Sequence, residues 1–203
     1  MKISFSTLAC PKYSWTDIYS MAKDLNFDGI EIRGLGDDIF ALNAQPFRED
    51  QLPKTTQKLR DLGLEISCLS SGCCLKFKND YKNIIFEISQ YITLAERLGT
   101  PYIRVLGDLN PAPDGEVDDK YVASVLKDLA KRAEVSGVML LVETNGVYSD
   151  SKRLKDLLDS VGSPFVAALW DIHHPYRFAN ESPVQKHLSA RMWSARQSTW
   201  QRG

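Results

Sequence analysis

The chain has 203 residues, of which 43% are hydrophobic, and its 25 basic and 26 acidic residues give a formal net charge of −1 at pH 7. This length is enough for one sizeable α/β domain, and the balanced charge argues against a general nucleic-acid or membrane-surface binder. No run approaches the ~18 apolar residues of a membrane-spanning helix, and the apolar stretch after Met1 is too short for a signal peptide, so we expect a cytoplasmic protein.

Apolar segments and helix-ending glycines predict strands and helices that alternate along the chain. In chain order we predict strand 2–9, helix 14–25 with Ser14 as its N-cap, strand 27–33, loop 37–47, helix 50–62, strand 64–70, loop 72–78, helix 81–98, strand 101–107, loop 108–115, helix 117–136, strand 138–143, helix 151–161 and strand 166–170. A glycine follows the helix before the third, fourth and fifth strands (Gly63, Gly99 and Gly137), which is typical of a residue that ends a helix.

This βα repeat with nearly continuous apolar strands predicts a parallel sheet, closed either as a doubly wound open sheet or as a (β/α)₈ TIM barrel. A dinucleotide-binding sheet would carry G-x-G-x-x-G after its first strand, and residues 7–11 do not match that motif. Polar residues instead end nearly every strand, which is how a barrel builds a site from its rim. We therefore predict the barrel.

The strongest functional signal is a pair of acids at the ends of the fifth and sixth strands, Glu143 and Asp171, with His173 and His174 beside the second acid. Strand-end acids also cap helices or pair with arginines, but two on neighbouring strands favour contact with a metal or a substrate. If the sixth strand continues beyond Asp171, alternation places His173 on the same face as Asp171 and His174 on the other face.

Four further residues are candidate substrate ligands. Glu31 and Arg33 share a strand face, where they form an ion pair with each other or bind a sugar hydroxyl or phosphate. Arg104 has the chemistry of a phosphate ligand, although it can equally belong to a structural ion pair. Asn145 occupies a position where a polar pocket residue is expected.

Residues 5–11, 27–33, 142–145 and 170–176 together resemble the xylose isomerase-like TIM-barrel superfamily, the sugar phosphate isomerase/epimerase group. The resemblance implies a divalent metal (Mn²⁺, Mg²⁺ or Zn²⁺) bound by Glu143 and Asp171, with Glu143 also the catalytic acid/base. It places a substrate-binding histidine on His174, and it implies a small sugar or polyol as the partner, with no nucleic acid and no membrane.

The chain departs from the family pattern at its carboxyl end. Residues 1–185 match six βα units of an eight-unit barrel, and the units that would supply a further metal-binding histidine and glutamate have no counterpart. Residues 186–203 form an atypical basic tail, and His187 lies on a predicted sixth helix that begins at Ser182-Pro183. We expect a weakly bound metal and, because the first and sixth strands lack neighbours, a tendency to form homo-oligomers.

The resulting hypothesis is a sugar or sugar-phosphate isomerase or epimerase that moves a proton next to a carbonyl with the help of a metal. One alternative is a non-catalytic remnant of the fold that binds polyols. Phosphodiester cleavage of the endonuclease IV type is disfavoured, because it needs a multi-metal site rich in histidine and the chain has three histidines.

Overall fold

The computed structural model describes residues 2–182, which form a six-stranded parallel sheet with helices between the strands. The strands are β1 (Ser4–Ser6), β2 (Gly29–Ile32), β3 (Glu65–Cys74), β4 (Tyr102–Leu106), β5 (Met139–Glu143) and β6 (Val166–Leu169). They are hydrogen-bonded in the order β1-β2-β3-β4-β5-β6, each parallel to its neighbour. A doubly wound sheet reverses its strand order and this one does not, so the barrel prediction is confirmed, with about six βα units present.

The helices are α1 (Trp15–Asp24), α2 (Leu52–Leu62), α3 (Tyr81–Leu98), α4 (Asp119–Val135), α5 (Ser151–Val161) and the short α6 (His173–Phe178). The predicted N-cap of α1 is confirmed, because the Ser14 hydroxyl accepts the Asp17 N–H at 3.2 Å and the Asp17 carboxylate accepts the Ser14 N–H at 3.1 Å. Gly63 and Gly99 end α2 and α3 in the left-handed conformation (φ 67° and 69°), as their positions predict.

The core lies between the helices and the outer face of the sheet. Alternate strand residues, such as Ile30, Ile103 and Leu140, point outward and are fully buried. The intervening residues face the barrel interior, where they line a hollow of about 400 Å³. Since adjacent strands of the sheet are parallel, polar side chains at the carboxyl ends of the strands meet at one rim.

Among the differences from the predicted boundaries, three concern the carboxyl ends of β1, β3 and β6. Residues 72–74 continue β3 rather than starting a loop, because the register shift between Ser70 and Cys74 lets the strand keep pairing with β4. β1 ends at Ser6, where a 3₁₀ turn over Thr7–Ala9 begins. β6 ends at Leu169, and α6 starts at His173 in a segment with no predicted helix.

The predicted sixth helix, His187 and the basic tail 186–203 lie outside the described residues. Among residues 2–182, no helix combines the length and apolar character needed to cross a membrane. β1 and β6 form the two edges of the described sheet, and homo-oligomerisation through them stays a prediction.

Candidate functional site

The carboxyl ends of the strands surround a hollow of about 310 Å³. Its walls hold five of the candidate residues, which come from β2, the residue directly after β2, β4, β5 and the segment after β6: Glu31, Arg33, Arg104, Glu143 and Asp171. Trp170 is half-buried and also lines this hollow.

Glu143, Asp171 and His174 form a compact cluster at this rim. One oxygen or nitrogen atom from each lies within 4.8 Å of the other two. The Nδ1 atom of His174 is 3.6 Å from Oδ1 of Asp171 and 4.0 Å from Oε1 of Glu143. The two strand-end acids therefore share one site, and His174 is the histidine that joins them.

The turn after β6 explains why His174 rather than His173 reaches the site. Oδ1 of Asp171 accepts the backbone N–H groups of His173 (2.8 Å) and His174 (2.7 Å), which holds the first turn of α6. The chain has left the extended conformation here, so strand alternation does not apply beyond Leu169. The side chain of His173 is exposed, and its role as a substrate ligand stays a prediction.

Thr144, which the sequence interpretation did not single out, connects the two strand ends. Its buried hydroxyl accepts the Asp171 N–H at 2.8 Å and donates to the Asp171 carbonyl at 3.2 Å. Its own carbonyl lies 3.2 Å from Nδ1 of His174. Thr144 is therefore a positioning residue for both Asp171 and His174.

Arg104 forms an ion pair with Glu143, which is one of the two roles that its sequence context allows. Its guanidinium binds Oε2 of Glu143, and its Nη1 atom donates to the Ser71 carbonyl at 3.0 Å. The two side chains are only 15% and 11% exposed. Because Arg104 occupies Oε2, it leaves Oε1 of Glu143 as the oxygen nearer His174.

The remaining candidates have different surroundings. Glu31 accepts a hydrogen bond from the Ser70 hydroxyl and makes no ion pair with Arg33. Asn145 is buried, and its amide donates to the carbonyls of Asp108 (2.9 Å) and Asn110 (3.1 Å). Asn145 thus fastens the loop after β4 and does not line the hollow.

Asp108 anchors the same loop from inside the protein, where the sequence predicted a surface segment. Its fully buried carboxylate accepts Lys76 Nζ at 2.6 Å and the Val147 N–H at 3.0 Å. The hydrogen bond from Lys76 to Asp108 raises the pKa of Lys76. Gly146 passes so close that a β-carbon there would lie 2.3 Å from Oδ2 of Asp108. These contacts fix the segment that follows Glu143.

The cluster fits a divalent cation by its chemistry. Two carboxylates and an imidazole are the donor types that Mn²⁺ and Zn²⁺ use, with carboxylates preferred by Mg²⁺. Each side chain keeps an atom that makes no hydrogen bond or ion pair to an Arg or backbone N–H: Oε1 of Glu143, Oδ2 of Asp171 and Nε2 of His174. Three protein ligands would leave positions for water or substrate.

Comparisons with known proteins agree with this architecture. The sequence model of the family described as xylose isomerase-like TIM barrel matches residues 20–196. No curated protein sequence matches the chain significantly.

Three solved structures with similar folds have low sequence identity to the chain. The probable 3-DHS dehydratase AsbF from Bacillus anthracis has a TM-score of 0.71 and 22% identity, over 86% of this chain and 64% of that one. The 3-keto-D-glucoside 4-epimerase YcjR from E. coli has a TM-score of 0.72 and 16% identity, over 89% of this chain and 72% of that one. The IOLI protein with a bound zinc atom has a TM-score of 0.70 and 16% identity, over 86% of this chain and 64% of that one. The chain thus spans about two thirds of these structures, and at these identities the similarity shows the fold.

Proposed function

Because the chain belongs to the xylose isomerase-like TIM-barrel family, we propose that it is a sugar or sugar-phosphate isomerase or epimerase. The reaction is a metal-assisted proton transfer at the carbon next to a carbonyl. The observation that carries this proposal is the cluster of Glu143, Asp171 and His174, whose ligand atoms lie within 4.8 Å of one another at the rim of the sheet. The structural neighbours named as an epimerase, a dehydratase and a zinc-containing protein support it.

Glu143, Asp171 and His174 would hold the metal ion, whether Mn²⁺, Mg²⁺ or Zn²⁺. When bound, the metal supplies a Lewis acid that stabilises negative charge on the substrate oxygen. Asp171 is held by Thr144 and by the first turn of α6, so its carboxylate needs little rearrangement to act.

Glu143 is the proposed acid/base that takes the proton from carbon, and a second group returns it. Its Oε1 atom faces the shared site, while Arg104 holds Oε2 and thereby fixes the orientation of the carboxylate. His174 has the place of the group that orients a substrate hydroxyl. The polar hollow of about 310 Å³ accommodates a small polyol against these side chains.

A second candidate function is binding of a polyol without turnover. The Arg104–Glu143 ion pair favours this candidate, because a carboxylate that already has a cationic partner is a poorer metal ligand. The two candidates differ in one measurable step, which is proton exchange at the carbon next to the carbonyl.

Deuterium incorporation measured by NMR tests this step. Ketopentoses and their 5-phosphates are incubated with the protein in D₂O with Mn²⁺, Mg²⁺ or Zn²⁺. The proposal expects metal-dependent exchange that Glu143→Gln abolishes, whereas Glu134→Gln, an exposed glutamate on α4, leaves it unchanged. Equal exchange in wild type and Glu143→Gln contradicts the proposal, and tight sugar binding without exchange supports the second candidate.

A further inference from the structure

A second, smaller hollow of about 200 Å³ adjoins the site next to Arg33. The two hollows share the side chains of Leu8 and Arg33 in their walls. The smaller hollow is lined by residues that follow β1 and β2: Thr7, Leu8, Pro11, Arg33, Gly34, Gly36 and Ile39. Arg33 is the only charged residue among them. Arg33 therefore borders two hollows, one that also holds Glu31, Arg104, Glu143 and Asp171 and one with no other charged residue among its described lining.

The Arg33 side chain makes no hydrogen bond or ion pair within the described part of the chain. Its expected partner, Glu31, is hydrogen-bonded to Ser70 instead. Glu87, a half-buried residue on α3, interacts with Arg33 through its charge but without an ion-pair contact. Burial and then the charge of Asp80 raise the pKa of Glu87, and the charge of Arg33 opposes both effects. A half-buried guanidinium that lacks a contacting carboxylate leaves several donors available to a ligand.

The position of Arg33 is fixed by the backbone around it. Its N–H donates to the Thr7 hydroxyl at 2.9 Å, and that hydroxyl donates to the Gly34 carbonyl at 2.8 Å. Thr7 is only 2% exposed. On the other side, a β-carbon at Gly72 would lie 3.5 Å from Nη2 of Arg33, so the guanidinium lies close over the β3 backbone. These contacts hold the backbone from which the Arg33 side chain extends and place its guanidinium beside β3.

We propose that the smaller hollow binds an anionic end group of the substrate, a phosphate or a carboxylate, through Arg33. The proposal rests on the proposed function and narrows its substrates to acidic sugars. An anion is favoured here because the planar guanidinium matches phosphate and carboxylate oxygens, often in bidentate geometry. The larger hollow is less suited to an anion, because Glu31, Glu143 and Asp171 carry negative charge there and its other arginine, Arg104, is already paired with Glu143. The substrate thus lies with its carbonyl near Glu143 and its acidic end at Arg33.

Isothermal titration calorimetry with D-ribulose 5-phosphate, D-ribonate and D-ribulose tests the proposal. A charge-assisted contact with an anion predicts that wild type binds one of the two anions at least about 10-fold more tightly than the neutral sugar. Arg33→Gln should remove this preference without changing the affinity for D-ribulose, and Arg33→Lys should retain part of it. Arg60→Gln, on the exposed face of α2, is the matched control and should keep the preference.

The pattern of preferences identifies the anion. If only D-ribulose 5-phosphate binds more tightly than D-ribulose, and Arg33→Gln removes the difference, the substrate is a sugar phosphate. If D-ribonate shows this behaviour instead, the substrate is a sugar acid. Absence of any preference in wild type, or a preference that persists in Arg33→Gln, overturns the proposal. Thermal unfolding of Arg33→Gln should match wild type, because the side chain makes no bond within residues 2–182.

Glu143→Gln separates this inference from the proposed function. Glu143 lines only the larger of the two hollows, so its substitution should abolish proton exchange and leave the anion preference intact. Anion binding through Arg33 without exchange in wild type would refute the isomerase proposal alone. Proton exchange in wild type with no anion preference would refute the Arg33 proposal alone.

Discussion

Replacing Arg104 by glutamine should destabilise the protein strongly, because it leaves the Glu143 carboxylate in a buried position without its cation. The two side chains are 15% and 11% exposed, and loss of one partner from a buried pair costs about 3–5 kcal/mol. The pair borders an open hollow that water can enter, so we expect the lower end, about 3 kcal/mol. For a chain of 150–250 residues this corresponds to a decrease in Tm of about 6–12 °C.

A double-mutant cycle isolates the interaction itself. The free energies of unfolding of wild type, Arg104→Gln, Glu143→Gln and the double variant are measured in urea by far-UV circular dichroism. The double variant should recover part of the loss, with a coupling energy of about 2 kcal/mol. The same cycle on Lys152 and Asp156, an i,i+4 pair with side chains 81% and 60% exposed, should give under about 0.5 kcal/mol.

Equal coupling energies in the buried and the exposed pair would refute the reasoning that burial makes the Arg104–Glu143 interaction strong. The cycle also has a second readout with Mn²⁺. Since Arg104→Gln releases Oε2 of Glu143, Mn²⁺ should raise the Tm of this variant by more than it raises the Tm of wild type. A smaller increase would show that Arg104 assists metal binding rather than opposing it.

Three further predictions concern the residues around the site. Thr144→Val should lower the free energy of unfolding in urea by about 1–3 kcal/mol, because the Asp171 N–H loses its buried acceptor, whereas Thr144→Ser retains the hydroxyl and most of the stability. Gly146→Ala should lower the free energy of unfolding in the same assay by more than Gly63→Ala does. Both glycines have positive φ (57° and 67°), which costs an alanine about 1–2 kcal/mol. Only at position 146 would the added β-carbon also clash with a buried carboxylate, that of Asp108. Burial raises the pKa of the Cys68 thiol to about 12, so iodoacetamide at pH 8 should label this thiol about 100-fold more slowly in the native protein than in urea. Because the pKa of Cys68 is raised on folding, its contribution to stability is complete below its pKa of about 8.5 in the unfolded chain and is lost as the pH rises toward 12. Urea titrations should therefore give a lower free energy of unfolding at pH 10 than at pH 7.

Much of the fold could be predicted because its local signals agree with one another. The bounds of α3 and α5 match the prediction. Both helices have apolar periodicity, and a glycine directly follows each of them. The βα alternation then leaves a parallel sheet as the simple way to bury those helices. β3 was predicted too short, because Ser71 and Gly72 have loop-forming composition, while pairing with β4 across a register shift keeps them extended.

The site was predictable only where it depends on topology. Glu143 and Asp171 could be placed together because the carboxyl ends of adjacent parallel strands meet at one rim. The partners of Arg104 and Asn145 depend on which side chains the strand register and the loops bring within contact, and residue types alone do not determine this. His174 required the turn at Asp171, a local hydrogen-bonding arrangement that strand alternation does not contain.

The strictly sequential strand order determines when the site can form during synthesis. Each strand pairs with the strand before it in the chain, so each ladder can close as soon as the next segment leaves the ribosome. The paired strands are separated in sequence by a helix, and parallel pairing over such separations is intrinsically slow. The rim at β4, β5 and β6 is completed only after Asp171 and His174 have emerged. A nascent chain that stops before residue 171 therefore has most of the sheet and Glu143, but it lacks the other two residues of the cluster, Asp171 and His174.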